Sequence, residues 1–136
     1  MNKIYIGGAL FSPSERANLE SIDSLCKELG FTTYLPHKDG GLFIRGNNNS
    51  ASFFMADKDN IDSAEIIISV LNGTDIDSGT SWEIGYGYSK KKTIIGYLED
   101  IRIFNPNKQL NPMIFNSLSH LANSIDSLEE ILKTLK

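Results

Sequence analysis

The residues best suited to do chemistry lie in one short stretch, Asn72 to Tyr88, NGTDIDSGTSWEIGYGY. Three acids, Asp75, Asp77 and Glu83, fall in and just after what reads as a strand-to-helix turn. Asp77 and Ser78 compete for the N-cap, a position either can fill by accepting a hydrogen bond from a free backbone N–H. Glu83 then sits in the second turn, near enough to the positive helix end to favour its ionised form. Gly85 and Gly87 inside a helix are each unfavourable by roughly 1 kcal/mol relative to Ala, which suggests close approach of another backbone or a ligand. Taken by residue type and spacing alone, however, a Glu on a helix is ordinarily a solvated surface residue and Asp77 a plain cap.

Other chemistries find little support. Gly7-Gly8 is not a dinucleotide fingerprint, and neither a Walker A loop nor HExxH occurs. His37 and His120 stand alone and read as surface or packing residues. The single Cys26 cannot form an internal disulfide or anchor a metal site, and it fits a reducing compartment. Thirteen Lys and Arg against seventeen Asp and Glu leave a net charge of −4, which argues against sequence-independent nucleic-acid binding. No secretory h-region and no stretch of transmembrane length is visible, so the expectation is no membrane association and a cytoplasmic location.

The elements that must position these acids alternate between strand-like and helix-like patterns. The expected fold is α/β, a flavodoxin-like or Rossmann-like three-layer sandwich on a mainly parallel five-stranded sheet, forming a single domain over residues 1–136. Lys3 to Gly7 reads as a buried strand. Ser12, Pro13 and Glu15 form a capped helix start, and Leu19, Ile22, Leu25, Cys26 and Leu29 recur at helical spacing up to Gly30. Phe31 to Leu35 reads as a second strand. Pro36 to Ser52 reads as a long Gly- and Asn-rich loop, a candidate lid, followed by a helix from near Ser52 to Ser63. Glu65 to Leu71 is the clearest buried strand. A third helix ends in Lys90, Lys91 and Lys92, and Thr93 to Tyr97 is a fourth strand. A short helical turn after Asn111 and a fifth strand follow. The last helix carries Leu128, Ile131, Leu132 and Leu135 behind an expected Ser127/Glu130 capping box.

Ligands of open parallel sheets bind beyond the carboxyl ends of the strands. Three polar clusters fall there: Gly7 to Phe11, Asn72 to Glu83 and Asp100 to Asn111. Across nearly its whole length the sequence resembles the nucleoside 2-deoxyribosyltransferase family, through four blocks in order. These are IYIGGALFSPSER (4–16), DKDNIDSAE (57–65), DSGTSWEIGYGYSKKKTIIGY (77–97) and NPM (111–113). The third is similar to the family signature D-x-G-T-x-x-E-x-G-Y-A, with Gly87 in place of the usual alanine. Leu10 stands where many relatives carry proline or another aromatic residue.

The resemblance implies that Glu83 is the nucleophile, that Tyr5 orients its carboxylate, and that Asp57 exchanges a proton with the nucleobase, although Asp59 and Asp62 lie close by. Asp77 and Asn111 correspond to residues that hold the sugar 5′-hydroxyl, the asparagine coming from a neighbouring subunit, so a homodimer or higher homo-oligomer is expected. Phe11 corresponds to an aromatic position near the base. Gly7, Gly79 and Met113 fall in the matching blocks and are taken as substrate-binding. Asp39 is the candidate for the base-contacting polar residue after strand two. Substrates would be deoxynucleosides and free nucleobases, with no metal or organic cofactor. A carboxylate attacking C1′ opposite the base follows retaining-glycosidase logic. Two alternatives share the scaffold. One is an N-glycoside hydrolase of nucleoside 5′-monophosphates, disfavoured by the negative charge of Asp77 where a phosphate would bind. The other is a non-catalytic nucleotide sensor.

Overall fold

The computed structural model describes residues 2–40, 49–73, 75–99 and 110–136. Five strands, β1 (Lys3–Gly7), β2 (Thr32–Tyr34), β3 (Ile66–Val70), β4 (Thr93–Tyr97) and β5 (His120–Ala122), form one sheet in the order β2-β1-β3-β4-β5. Every pairing among them is parallel. The strand order reverses between β1 and β3, so the crevice at their carboxyl ends is where a doubly wound sheet offers a site.

Parallel strands buried on both faces alternate their side chains between two cores. Ile4 and Ile6 of β1 and Ile66 and Ile68 of β3 meet Leu19, Ile22 and Cys26 of α1 (Pro13–Glu28) and Leu128 and Leu132 of α5 (Ile125–Thr134). The opposite face carries Tyr5, Tyr34, Ile67 and Ile94. It packs on Ile61 of α2 (Ser50–Ser63) and Ile84 of α3 (Ser78–Ser89), with Ile114 of the short α4 (Pro112–Phe115) at its margin. Gly87 lets α3 lie close on the sheet, because a Cβ there would run into the Ile67 side chain; Gly85 faces open space instead.

The helix starts follow local rules with one change of register. Ser12 caps α1 and Glu15 completes the box, as its spacing predicts. The last helix begins one turn earlier than expected: the reciprocal pair is Ser124 with Ser127, not Ser127 with Glu130. Ser127 Oγ accepts from the Ser124 N–H, so Ser127 is the third helical residue rather than the cap. Inside the stretch read as a long loop, Pro36–Gly40 forms a π-helical turn, and α2 starts at Ser50. The middle of the proposed lid, residues 41–48, and most of the polar cluster after β4, residues 100–109, lie outside the described residues. Among the described residues no helix is long and apolar enough to cross a membrane.

The capping register is open to test. Ser124→Ala is expected to cost about 1 kcal/mol, the typical loss of a side-chain cap. Glu130→Ala, at an exposed position, is expected to stay within about 0.5 kcal/mol of the parent. Urea midpoints at constant m-value read both.

Candidate active site

The site is built where α3 crosses the end of β1. Tyr5 and Gly7 lie two residues apart on one strand and so share the face toward α2 and α3. Tyr5 is fully buried, and its hydroxyl donates to Glu83 Oε2 at 2.6 Å. A Cβ on Gly7 would come within 2.6 Å of Glu83 Oε1, so the bare backbone of Gly7 makes room for the carboxylate. The start of α3 sets where Glu83 falls. Asp77 is its N-cap, with Oδ2 accepting from the Thr80 N–H at 3.1 Å and the Thr80 hydroxyl at 3.2 Å.

The electrostatics differ from the helix-end expectation. Burial pushes the Glu83 carboxyl up to about 7, and the charges of Asp57 and Asp77 add to this, while the Tyr5 hydrogen bond pulls the other way. Desolvation is the larger effect here because the carboxylate is largely withdrawn from water and has one strong donor, whereas the helix end is more than a turn away. Asp57 on α2 is likewise raised to about 6 by burial. Tyr5 is held far above the usual phenol range by burial, then by Glu83 and Asp57, and remains a protonated donor.

Asp57, Gly79 and Glu83 line one cavity of about 260 Å³ together with Phe54, Lys58, Ile61 and Trp82. A larger hollow of about 670 Å³ opens on the α1 side beside Glu15, Asn72 and Glu99. None of the expected catalytic side chains lines it. Asp77 stands at the cap beside Gly79, whose Cα would carry a Cβ 3.3 Å from Asp77 Oδ2.

Tyr5, Gly7 and Asp77 adjoin Glu83 or the α3 cap without lining the smaller cavity, and Phe11, Asp39, Asn111 and Met113 do not line it either. Phe11 is 76% exposed, with its amide bound to Glu15 Oε1. The carboxylate of Asp39 closes the π-helical turn by accepting from the Leu35 N–H at 2.7 Å. Asn111 caps α4, its Oδ1 accepting from the Met113 N–H at 2.8 Å, and Met113 is 78% exposed. His37 is a packing residue, bonded to Glu20 at 2.8 Å.

The structure also adds residues that spacing alone did not single out. Tyr34, the register partner of Tyr5, stacks on it at 5.8 Å. Trp82 and Phe54 meet edge-on at 5.4 Å beside the cavity. Trp82 precedes Glu83 inside the signature and could have been read from there; Tyr34 emerges only once β1 and β2 are paired in register. Among the described residues no group of three or more His, Cys, Asp or Glu is placed to hold a metal ion.

A family model described as nucleoside 2-deoxyribosyltransferase matches residues 4–123. Among solved structures, the chain is similar to a 2-deoxyribosyltransferase from Bacillus psychrosaccharolyticus, with 22% identity and a TM-score of 0.80 over 93% of this chain and 90% of that one. A 2-desoxiribosyltransferase from Leishmania mexicana aligns with 18% identity and a TM-score of 0.76 over 98% of both chains. A CMP N-glycosidase from Clostridium botulinum aligns with 15% identity and a TM-score of 0.65 over 97% of this chain and 99% of that one. At such identities these likenesses establish a common fold. No curated protein matches the chain by sequence.

The buried carboxyl leaves a thermodynamic mark. Below about pH 4.5 Glu83 is protonated whether folded or not; between there and about pH 7 only the unfolded chain ionises it, so stability falls as pH rises. Glu83→Gln removes that loss. The variant is expected to gain on the order of 2–3 kcal/mol over wild type between pH 4 and pH 8, read as urea midpoints across that range. An advantage that does not grow with pH would contradict the raised carboxyl.

Proposed function

The chain belongs to the nucleoside 2-deoxyribosyltransferase family, and from that premise we propose that it moves a 2-deoxyribosyl group between nucleobases through a covalent glycosyl-enzyme on Glu83, as a cytoplasmic enzyme of nucleoside salvage. The observation that carries this reading is the Tyr5–Glu83 hydrogen bond beside Asp57 in one cavity. A carboxylate fixed by a phenol and a second carboxyl with a raised pKa are the two groups that breaking an N-glycosidic bond requires.

In the first half-reaction a carboxylate oxygen of Glu83 bonds to C1′ from the face opposite the base. Tyr5 engages Oε2, which holds the side chain in one orientation and leaves Oε1 without a hydrogen-bond donor among the described residues. The electrons of the C1′–N bond pass to the departing base, which takes a proton from Asp57 so that it leaves neutral. In the second half-reaction an incoming base attacks C1′, Asp57 recovers a proton from it, and the ester to Glu83 breaks. Asp77 and Gly79 at the α3 cap suit the sugar end of the nucleoside. A neutral 5′-hydroxyl can donate to the Asp77 carboxylate, whereas a 5′-phosphate would meet repulsion.

Asn111 and Met113 are exposed at the start of α4 and do not line the chain's own cavity. We assign them to a neighbouring subunit's site, which makes the working enzyme at least a homodimer, with closed two-fold symmetry generating two equal sites. In the same reading Phe11, Gly7 and Asp39 remain on the β1 and β2 ends of the crevice, toward the base.

The decisive assay incubates the protein with deoxyinosine or thymidine, with and without adenine. A new deoxynucleoside is expected. Free base alone would replace transfer by hydrolysis, and reaction only with a 5′-monophosphate would overturn the choice of substrate. Glu83→Ala is expected to abolish both products, and Asp57→Asn to slow the reaction by roughly 10²–10⁴-fold, the usual worth of a general acid. Glu83 must be ionised while Asp57 is protonated, and the two carboxyls are raised to about 7 and about 6. One proton is therefore shared over that interval, and kcat/KM should trace a bell. It falls on the acid side, where both carboxyls are protonated, and on the basic side, where both are ionised. A rate still rising at pH 9 would contradict it.

A further inference from the structure

Tyr86 is part of the signature but takes no part in the chemistry above. It lies three residues beyond Glu83 on α3, and its hydroxyl reaches across to α2, donating to Asp62 Oδ1. Asp62 is a hub. Its Oδ2 lies 3.2 Å from Lys58 Nζ, and its carbonyl accepts from Lys92 Nζ at 2.7 Å. The Tyr86 ring is enclosed as well. Trp82 stacks on it at 5.1 Å and 11°, and the ammonium groups of Lys58 and Lys90 stand 5.6 and 5.5 Å from its centroid. Trp82 in turn meets Phe54 of α2. The two helices thus touch along a line running Phe54, Trp82, Tyr86, Asp62. Asp57 and Glu83 project from those same helices into the cavity.

A lone exposed ion pair contributes little. Here the acceptor is charged, the donor is a rigid ring stacked on a neighbour, and three cations converge on one carboxylate residue and its ring partner, so the contact defines a geometry. We propose that Tyr86 is a positioning residue: by bonding Asp62 and stacking on Trp82 it sets the spacing of α2 and α3, and with it the separation of Asp57 from Glu83. The inference rests on the reading of those two residues as acid and nucleophile. It accounts for a tyrosine in the signature that is turned away from the reacting carboxylate.

The test uses Tyr86→Phe, which keeps the stacked ring and removes only the hydroxyl. Two readouts are taken: the titration midpoint of the Glu83 carboxyl by carbon NMR, and kcat and KM for deoxynucleoside cleavage. Glu83 is faced by Tyr5 from β1, Asp57 from α2 and Asp77 from its own helix cap. If α2 loosens, water enters and the burial that raises Glu83 weakens. The midpoint should then fall by about half a unit or more, and kcat by about tenfold with KM within about twofold, as expected when reacting groups are misplaced. Asp62→Asn, which keeps an acceptor for the hydroxyl, should retain most of the activity. Tyr86→Phe combined with Asp62→Ala should lose less than the product of the two single losses, since both variants break the Tyr86–Asp62 link.

An unchanged midpoint and kcat in folded Tyr86→Phe would overturn the proposal, as would independent, multiplicative losses in the double variant. If Tyr86→Phe does not fold, Asp62→Ala gives the same readouts from the exposed end of the network. Should the wild type cleave no nucleoside, the enzymatic reading fails by itself, and the Glu83 titration still decides whether Tyr86 sets the spacing.

Discussion

The arrangement depends on one buried carboxylate with one phenol to stabilise it. Withdrawing Glu83 from water penalises its charge; the Tyr5 hydroxyl at 2.6 Å returns part of that cost, and the balance leaves the group close to neutrality rather than firmly ionised. Much of the surrounding fold serves this contact. Tyr5 must lie on the α3 face of β1, Gly7 must lack a side chain where the carboxylate lies, and α3 must come down closely on β3 at Gly87. A carboxylate poised in this way is a better nucleophile than a well-solvated one, because fewer hydrogen bonds must be given up as it bonds to carbon.

The cation that lines this cavity does not neutralise the site. Lys58 lines the cavity, yet its ammonium is drawn to Asp62 and to the Tyr86 ring, and it does not figure among the groups that shift Glu83. Glu83 therefore feels Asp57 and the low dielectric with no compensating charge from Lys58. Had Lys58 paired with Glu83, the carboxylate would be held in its ionised form. The outward pairing of Lys58 thus connects the α2–α3 contact to the reactivity of the site.

Much of this was legible in the sequence, unevenly and for identifiable reasons. The apolar runs of β1, β3 and β4, the Ser12 box and the Asp77 cap are local signals, and local signals survive folding. Tyr34 depends on the pairing of β1 with β2, a non-local fact. The start of the last helix is ambiguous in sequence because Ser124, Ser127 and Glu130 all satisfy capping chemistry at a spacing of three; the fold uses Ser124 with Ser127 and buries Leu128 and Leu132. The ionisation of Glu83 follows burial, which sequence does not reveal, more than the helix end, which it does. Phe11 follows a β1 turn whose backbone is tied to Glu15 at the start of α1, which leaves its ring in solvent on this chain.

The spacing inside the signature can be understood as geometry. Glu83 lies six positions after Asp77, about 9 Å along a helix at 1.5 Å per residue, which carries the carboxylate from the cap to the end of β1. A helix turns by about 100° per residue, so displacing Glu83 by one position would swing it off Tyr5 and toward solvent or α2. Thr80, buried and bonded twice to Asp77, fixes the first turn and so the origin of that count. Three residues further on, Tyr86 meets Asp62, and Gly87 meets Ile67, which fixes the rotation and the height of the same helix. The signature is thus the set of contacts that allows only one place for a single carboxylate.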